Sequence, residues 1–298
     1  MQNSAPSSQA LKTCTLSKLP NAAFMLLRAG LVSKTKTDTP ELVPSCVEVN
    51  GVVANAKQLA RFREVCGFRE NGQLPITFPQ VMSTALQIKL MLEPEFPFNP
   101  IGVVHLRNEI SQTRVLTEDE ALDFNVATSP MRTTPTGYEV DFVNSVSVAG
   151  EQVWQAIATV LIRRKLGTSK PAKREHQKGR EYAHVETWGI PGNRGRRYAK
   201  ASGDFNPIHL YTATAKMLGF RRHIAHGMWS KSRCIAHLWD DNWNQPLQIN
   251  AAFKLPVYLP AKVTMMHEQE GDSIPFEMRG PTGRRPHVVG EINLAPNK

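Results

Sequence analysis

Residues 198–215 read YAKASGDFNPIHLYTATA and place an acid, an amide and an imidazole around one proline. Pro207 cannot lie inside a helix, and it favours an extended residue before it and a helical first turn after it. Asn206 is a favourable N-cap for that turn. We therefore expect Asp204 on an irregular loop and His209 on the first helical turn, where their side chains converge as a general acid/base pair.

A second segment favours catalysis over an ordinary helix start, which uses the same residue types. Residues 224–228 read IAHGM and open an apolar helical stretch that runs through Leu238. At a helix start, Gly227 lets a ligand approach backbone N–H groups that have no partner within the helix. Such a position can hold an oxyanion. An acid/base pair with an oxyanion donor suits proton chemistry beside a carbonyl.

The composition is that of a soluble globular protein. The chain has 298 residues, of which 41% are hydrophobic and 21% charged, so it can bury one large core or two modest ones. No apolar run approaches the length needed to cross a bilayer. Widely spaced cysteines without a CxxC motif predict reduced, mostly buried thiols and a cytoplasmic location. They are Cys14, Cys46, Cys66 and Cys234.

Two further patterns carry weaker signals. His223 and His226 form an HxxH pair, but no carboxylate or thiol nearby completes a metal set, so no metal site is predicted. The first 36 residues contain five Lys or Arg and no acid. This faintly resembles a transit peptide but lacks the Arg-rich amphipathic pattern, so we expect a mobile terminus.

The positive charge is concentrated near the middle of the chain. The formal net charge is +10, and residues 161–200 hold twelve Lys or Arg against three Glu. A basic surface attracts a phosphorylated cofactor, an acidic carrier protein or nucleic acid. Nucleic acid is the weakest of the three, because no interleaved aromatic residues and no nucleic-acid module are present. Arg221 and Arg222 flank the candidate site and are expected to meet substrate phosphates.

The chain divides into two halves of similar plan around a basic, aperiodic linker. The predicted division is residues 1–164, a linker at 165–182, and residues 183–298. Each half has one mostly apolar helix followed by strand-like runs. In the first half these are the helix 81–92 and the runs 102–110, 137–148 and 153–162. In the second half they are the helix after His226 and the runs 248–259, 273–280 and 287–294.

A helix without a clear polar face should be buried, and a twisted antiparallel sheet that wraps it satisfies both elements. Two such units in one chain would pair as a pseudo-dimer. The predicted fold class is therefore α+β, with two antiparallel sheets that each wrap a central helix.

Both motifs resemble those of a known family. Residues 198–215 resemble the signature of the MaoC-like, (R)-specific enoyl-CoA hydratase (hydratase 2) family, and IAHGM is similar to its second block. Family members have the hotdog fold. Residues 74–82, 97–110 and 153–164 resemble the amino-terminal half of the two-domain, double-hotdog members, so the resemblance covers about residue 40 to the end.

The resemblance implies a reaction and a role for each matching residue. The reaction is reversible hydration of a trans-2-enoyl-CoA to a (3R)-3-hydroxyacyl-CoA, with no cofactor besides the coenzyme A of the substrate. Asp204 and His209 would hold the reacting water, and the Gly227 N–H would donate to the thioester oxygen. Asn206 and His226 would help to bind the substrate.

The first half lacks the Asp-Asn-Pro-His block and has ENGQLPITFP at residues 70–79 instead. We therefore expect one active site per chain, built by the second half and roofed by the first. Lys231 and Arg233 are unexpectedly polar for a buried helix, and we expect them at a rim or along a substrate tunnel. The chain would act as a pseudo-dimeric monomer or associate further as a homo-oligomer.

Four alternatives remain open at this point. A dehydratase acting on acyl-carrier protein would use the same residues, and an acidic carrier suits the basic surface. A hydratase of an unsaturated dicarboxylic acyl-CoA would use the extra positive charge. A non-catalytic subunit that binds acyl thioesters is a minor alternative. A thioesterase is conceivable because other hotdog proteins hydrolyse thioesters.

Overall fold

The computed structural model describes residues 11–32, 34, 39–164, 166, 180–283 and 285–294. Strands and helices alternate with loops throughout these ranges. In the first half they are β1 (Lys12–Leu16), α1 (Ala22–Leu31), β2 (Ser45–Val52), α2 (Ala56–Cys66), α3 (Phe78–Leu92), β3 (Val104–Gln112), β4 (Leu122–Thr128), β5 (Arg132–Thr134), β6 (Gly137–Val148) and β7 (Glu151–Arg163).

The second half repeats the plan with one central helix and five strands. It contains β8 (His184–Ile190), α4 (Arg194–Ser202), a 3-10 turn (Pro207–His209), α5 (Thr212–Met217), α6 (Gly227–Leu238), β9 (Leu247–Phe253), β10 (Ala261–His267), β11 (Ser273–Arg279) and β12 (Pro286–Leu294). Most of the predicted linker lies outside the described residues, and the proposed domain boundaries stay a prediction.

One continuous sheet joins the two halves. Its strand order is β1-β2-β4-β6-β7-β3-β9-β12-β11-β10-β8, and β5 pairs with β6 at the side. All pairings are antiparallel except β1 with β2. The two predicted sheets therefore meet edge to edge at the β3–β9 pair, where Arg107 faces Ala252 and Gln112 faces Leu247.

The two central helices are buried as predicted. Helix α3 has ten buried residues out of fifteen and packs on β2, β4 and β6, while α6 packs on β11 and β12. Helix α3 begins at Phe78, three residues before the predicted start, because Pro79 occupies its first turn, where the missing N–H costs nothing. The run predicted at 248–259 ends as a strand at Phe253. Pro256, which cannot donate to a ladder, lies just beyond.

Lys231 contradicts the expectation of a rim or tunnel position. Its side chain is fully buried and donates to the backbone and side-chain oxygens of Asn108, at 3.0 and 2.7 Å, and to Ile249 O, at 3.2 Å. These three acceptors match the three donors of an ammonium group. Burial holds the pKa of Lys231 well below its usual value. Because Asn108 lies on β3 and Ile249 on β9, Lys231 ties the two halves together at their seam.

The guanidinium of Arg233 lies 4.5 Å from the ring centre of Trp188, and Arg233 does not line the cavity that Asp204 and His209 line. The expectation of a mobile terminus is wrong for residues 11–32, which form β1 and α1; residues 1–10 lie outside the described ranges.

The four thiols are free, and three are buried as predicted, whereas Cys14 is exposed.

Candidate active site

The loop that carries Asp204 starts where α4 ends. Gly203 is the C-cap of α4 and has the left-handed backbone conformation, with φ of 79°, which glycine adopts without steric cost. Ser202 Oγ donates to Tyr198 O at 2.9 Å and accepts from the Asp204 N–H at 3.1 Å. These bonds turn the chain sharply and fix the backbone from which the Asp204 side chain projects.

The next residues form consecutive turns as the sequence predicts. Asp204 Oδ1 accepts from the Asn206 N–H at 3.1 Å, and Asn206 Oδ1 accepts from the Ile208 N–H at 3.4 Å. Asn206 thereby caps the 3-10 turn that contains Pro207 and His209. The side chains of Asp204 and Asn206 thus each accept a hydrogen bond from a backbone N–H two residues later, and these bonds fix the loop. The loop in this conformation brings Asp204 and His209 to the same side.

Two buried imidazoles lie beside Asp204. The ring of His226 stacks on that of His209, with centroids 3.6 Å apart and planes 25° apart. His226 Nε2 donates to Asp204 O at 2.9 Å and lies 3.8 Å from Asp204 Oδ2. His226 therefore holds the backbone of the loop that carries Asp204 and supports the face of the His209 ring.

The protonation state of His209 follows from its surroundings. Burial, with a smaller contribution from neighbouring His226, lowers the pKa of His209 to about 3. Burial also lowers the pKa of His226, so both rings are neutral near pH 7. His209 Nδ1 lies 2.9 Å from Ile224 O, and a carbonyl only accepts, so we assign the proton to Nδ1. The lone pair of His209 is then on Nε2.

Helix α6 begins at Gly227, after His226, whose side chain makes no capping bond. The N–H groups of the first helical turn have no acceptor within the helix and carry the positive end of its dipole. A Cβ atom at Gly227 would lie 3.1 Å from the ring of Phe253. A side chain at this position would crowd the Phe253 ring, so glycine leaves space beside the N–H groups at the start of α6.

Asp204, Asn206, His209, His226 and Gly227 all line one cavity of about 240 Å³. The rest of the lining is mainly apolar and includes Val103, Ile208, Met228 and Val257. His105 on β3 and Arg163 at the end of β7 belong to the first half, so both halves build the cavity walls. This volume exceeds that of a single water many-fold, so it admits part of an organic substrate.

Arg221 and Arg222 lie between Phe220 and Ile224, which line the cavity. Both are exposed, and neither lines the cavity. The guanidinium of Arg221 stacks 4.3 Å from the ring centre of Tyr258. Their predicted contact with substrate phosphates, which would extend outside the cavity, stays a prediction.

Four basic or titratable residues of the cavity were missed from the sequence: His105, Arg163, Lys254 and His287. Burial lowers the pKa of His105 to about 4, and its buried Nε2 has no hydrogen-bond partner among the described residues. None of the four belongs to a local motif. The β3–β9 pairing, which no local sequence signal specifies, brings the His105 strand beside the second half.

Within the described residues, Asp204, His209 and His226 form a group of side chains that could hold a metal ion. Ligand atoms of Asp204, His209 and His226 lie within 4.8 Å of one another. Each ring already uses one nitrogen on a backbone carbonyl, and the two rings are stacked rather than aimed at one point. His223, the other member of the HxxH pair, contacts Thr212 Oγ1 and Gly192 O.

Comparison with known proteins identifies relatives over nearly the whole chain. A family model described as MaoC like domain matches residues 161–288. The chain is 26% identical over 275 residues to 3-hydroxyacyl-thioester dehydratase X of Mycobacterium tuberculosis. That match covers 92% of this chain and 98% of the relative.

Solved structures show the same architecture. The crystal structure of HtdX of Mycobacterium tuberculosis matches with a TM-score of 0.74 at 26% identity, covering 84% of this chain and 100% of that one. A MaoC-like dehydratase from Phytophthora capsici matches with a TM-score of 0.68 at 16% identity, covering 87% and 96%. The predicted double-hotdog fold is confirmed.

Proposed function

We propose that this chain is a MaoC-like dehydratase, which catalyses the reversible hydration of a trans-2-enoyl thioester to a (3R)-3-hydroxyacyl thioester. One observation carries the proposal: a carboxylate, a neutral imidazole and the open start of a helix line the same largely apolar cavity. The related protein of Mycobacterium tuberculosis is a 3-hydroxyacyl-thioester dehydratase.

His209 acts through Nε2. Because Nδ1–H is held by Ile224 O and the ring is neutral, Nε2 accepts a hydrogen bond from the reacting water. The Asp204 carboxylate accepts the second hydrogen of that water, since among the described residues its Oδ1 accepts only from the Asn206 N–H, and its side chain is about one third exposed. The water oxygen is thereby left with a lone pair for attack at C3.

The reaction adds the oxygen and one hydrogen of water across the C2–C3 double bond. A lone pair of the water oxygen forms the bond to C3, the C2–C3 π pair forms a C1–C2 double bond, and the carbonyl π pair moves onto the thioester oxygen. The proton released from the water passes to the Asp204–His209 pair. The enolate then collapses as C2 takes a proton from the same pair. Acid/base assistance of this kind contributes about 10²–10⁴ in rate.

The thioester oxygen gains charge during this step. The N–H groups at the start of α6, with Gly227 first, have no acceptor within the helix and stabilise that charge. One oxyanion donor of this kind contributes about 10²–10³ in rate. The lowered pKa values of His209 and His226 keep both rings uncharged, so neither ring adds positive charge beside the thioester oxygen.

The test follows the absorbance of the conjugated thioester with crotonyl-CoA as substrate. We expect absorbance to fall to an equilibrium value, with (3R)-3-hydroxybutyryl-CoA as product and no release of free thiol. Release of thiol in step with the absorbance change would support a thioesterase instead. No turnover across enoyl-CoA substrates of short to long chain length would support a binding subunit.

A dehydratase of acyl-carrier protein is the second candidate. Lys200, Lys216, Arg221 and Arg222 are exposed in the segments on either side of the catalytic loop, and an acidic carrier complements them. Comparing kcat/KM for crotonyl-CoA and crotonyl-carrier protein separates the two substrates. Both candidates use Asp204, His209 and Gly227 in the same roles.

A further inference from the structure

The outward face of helix α1 is apolar. Phe24, Leu27 and Leu31 are 59%, 65% and 83% exposed, and their spacing of three and four residues places them in one stripe along the helix. The opposite face, which contains Met25 and Ala29, is buried against α3. A stripe of three large exposed hydrophobic side chains on successive turns indicates an interaction surface.

The inner side of α1 contacts the chain beside two segments that line the active-site cavity. A Cβ atom on Gly203, the residue before Asp204, would lie 2.9 Å from the Ala22 side chain at the start of α1. Near the other end of the helix, Gly30 approaches Ile101, and Asn99 Nδ2 donates to Val32 O at 3.0 Å. The chain from this loop continues into cavity residues at 103–106. Helix α1 thus contacts the chain just before Asp204 at one end and just before the cavity residues 103–106 at the other.

The segment around α1 is basic. Residues 11–34 contain Lys12, Lys18, Arg28 and Lys34 and no acid. Lys12 pairs with Glu95, and Lys34 donates to backbone oxygens at the end of α3. Lys18 and Arg28 are exposed, and neither has a carboxylate partner among the described residues. Arg28 lies on the same face as the apolar stripe, one turn after Phe24.

We propose that α1 is a peripheral membrane-contact helix that seats the protein on an anionic lipid surface. Phe24, Leu27 and Leu31 would enter the boundary between headgroups and acyl chains, while Lys18 and Arg28 would meet lipid phosphates. A lipid surface accommodates a convex apolar stripe without a matching groove, which a protein partner would have to supply. The net charge of +10 favours the same surface. The proposal goes beyond the proposed function, because lipid contact requires no turnover.

Flotation of the full chain with lipid vesicles tests this contact. We expect binding to vesicles of phosphatidylcholine with phosphatidylglycerol and weak binding to phosphatidylcholine alone. The triple variant F24S/L27S/L31S should lose about tenfold or more of the binding. The matched control V53S/V185S changes two hydrophobic residues that are 52% and 60% exposed elsewhere, and it should bind like the wild type.

A charge variant keeps the test independent of α1 packing. K18E/R28E should lose binding to the anionic vesicles, and added salt should weaken wild-type binding in the same way. Crotonyl-CoA hydration without vesicles should be unchanged in both variants, so failure of lipid contact is separate from failure of the proposed reaction.

Four results would overturn the proposal. The first two are no vesicle binding by the wild type, and binding by the triple variant that equals that of the wild type. The third is a wild-type dimer that becomes a monomer in the triple variant. The fourth is a loss of kcat/KM in the triple variant that affects crotonyl-carrier protein and not crotonyl-CoA. The third result would assign the face to self-association, and the fourth would assign it to carrier docking.

Discussion

The two halves of the molecule use the same turn for different purposes. Helices α2 and α4 both end at a glycine with left-handed backbone, Gly67 with φ of 90° and Gly203 with φ of 79°. The next residue is Phe68 in the first half and Asp204 in the second. Phe68 stacks on Phe62 at 5.9 Å, whereas Asp204 lies on the cavity wall.

The central helices differ in the same way. Helix α3 starts with Phe78, which is fully buried and packs edge-on against Phe62 at 5.1 Å, whereas α6 starts with Gly227 beside the cavity. In the first half, aromatic side chains fill the space that the second half leaves open. On the same backbone plan, one helix start therefore contributes to the core and the other to the cavity wall.

The largest effect is expected from Asp204→Asn. The amide keeps the size of the side chain but accepts only through one oxygen and cannot take a proton, so kcat for crotonyl-CoA should fall by about 10²–10⁴. The melting temperature should stay close to that of the wild type. The exposed Asp272→Asn in the same half is the matched control and should keep full activity. A near-normal rate for Asp204→Asn would contradict the catalytic role.

Phe78→Ala tests the opposite side of the comparison. Removing a fully buried ring should lower the free energy of unfolding by about 3–5 kcal/mol, measured by denaturant unfolding. Turnover of the folded fraction should stay within a few-fold of wild type. Phe24→Ala, at a position 59% exposed, should change stability by about 0.5 kcal/mol or less. A loss of turnover in folded Phe78→Ala would show that the first helix start also serves the reaction.

Gly227→Ala places a methyl group 3.1 Å from the Phe253 ring and at the proposed oxyanion position. We expect kcat to fall by about 10²–10³ as the thioester oxygen loses its N–H contact. Gly189→Ala is the matched control, because a Cβ there meets no atom within 4 Å. Equal activities of the two variants would rule out close approach of the substrate to this helix start.

The smallest effect concerns acid stability. The pKa of His209 is about 3 in the folded chain against 6.5 for an ordinary histidine, so the unfolded chain binds more protons between these values. Stability should therefore fall as pH drops below about 6.5, by up to about 1.4 kcal/mol per pH unit for this group. His209→Asn should reduce the slope by about one proton. An unchanged slope, measured by denaturant unfolding from pH 6.5 to 4.5, would contradict the assigned burial effect.

The sequence predicts the parts of the site that local chain geometry specifies. Asn206 as a cap, the turn at Pro207 and the helix start at Gly227 all depend on neighbours within a few residues. His105 and Arg163 could not be predicted, because they reach the cavity only through pairing of β3 with a strand about 140 residues later, at β9. The position of Lys231 depends on the same pairing.

Among the strands and helices, those with a clear local pattern of apolar residues could likewise be predicted, and those placed by long-range contacts could not. Strand β6 coincides with the predicted run 137–148, because its polar and apolar residues alternate with the period of a half-buried strand. Helix α4 and strand β1 were not predicted. Helix α4 carries four basic residues, and β1 is almost entirely exposed, so neither shows a strong apolar period. Tertiary contacts place these elements, with β1 lying parallel to β2.

The bonds of Lys231 at the seam bear on the fate of a divided chain. A fragment beginning at residue 183 would lose the Asn108 oxygens and leave strand β9 with an open edge. A stranded buried amine and an unpaired strand both oppose independent folding. The second half therefore depends on the first half for its stability. A protein consisting only of the second half would need a second copy of itself to cover β9 and to replace the Asn108 oxygens.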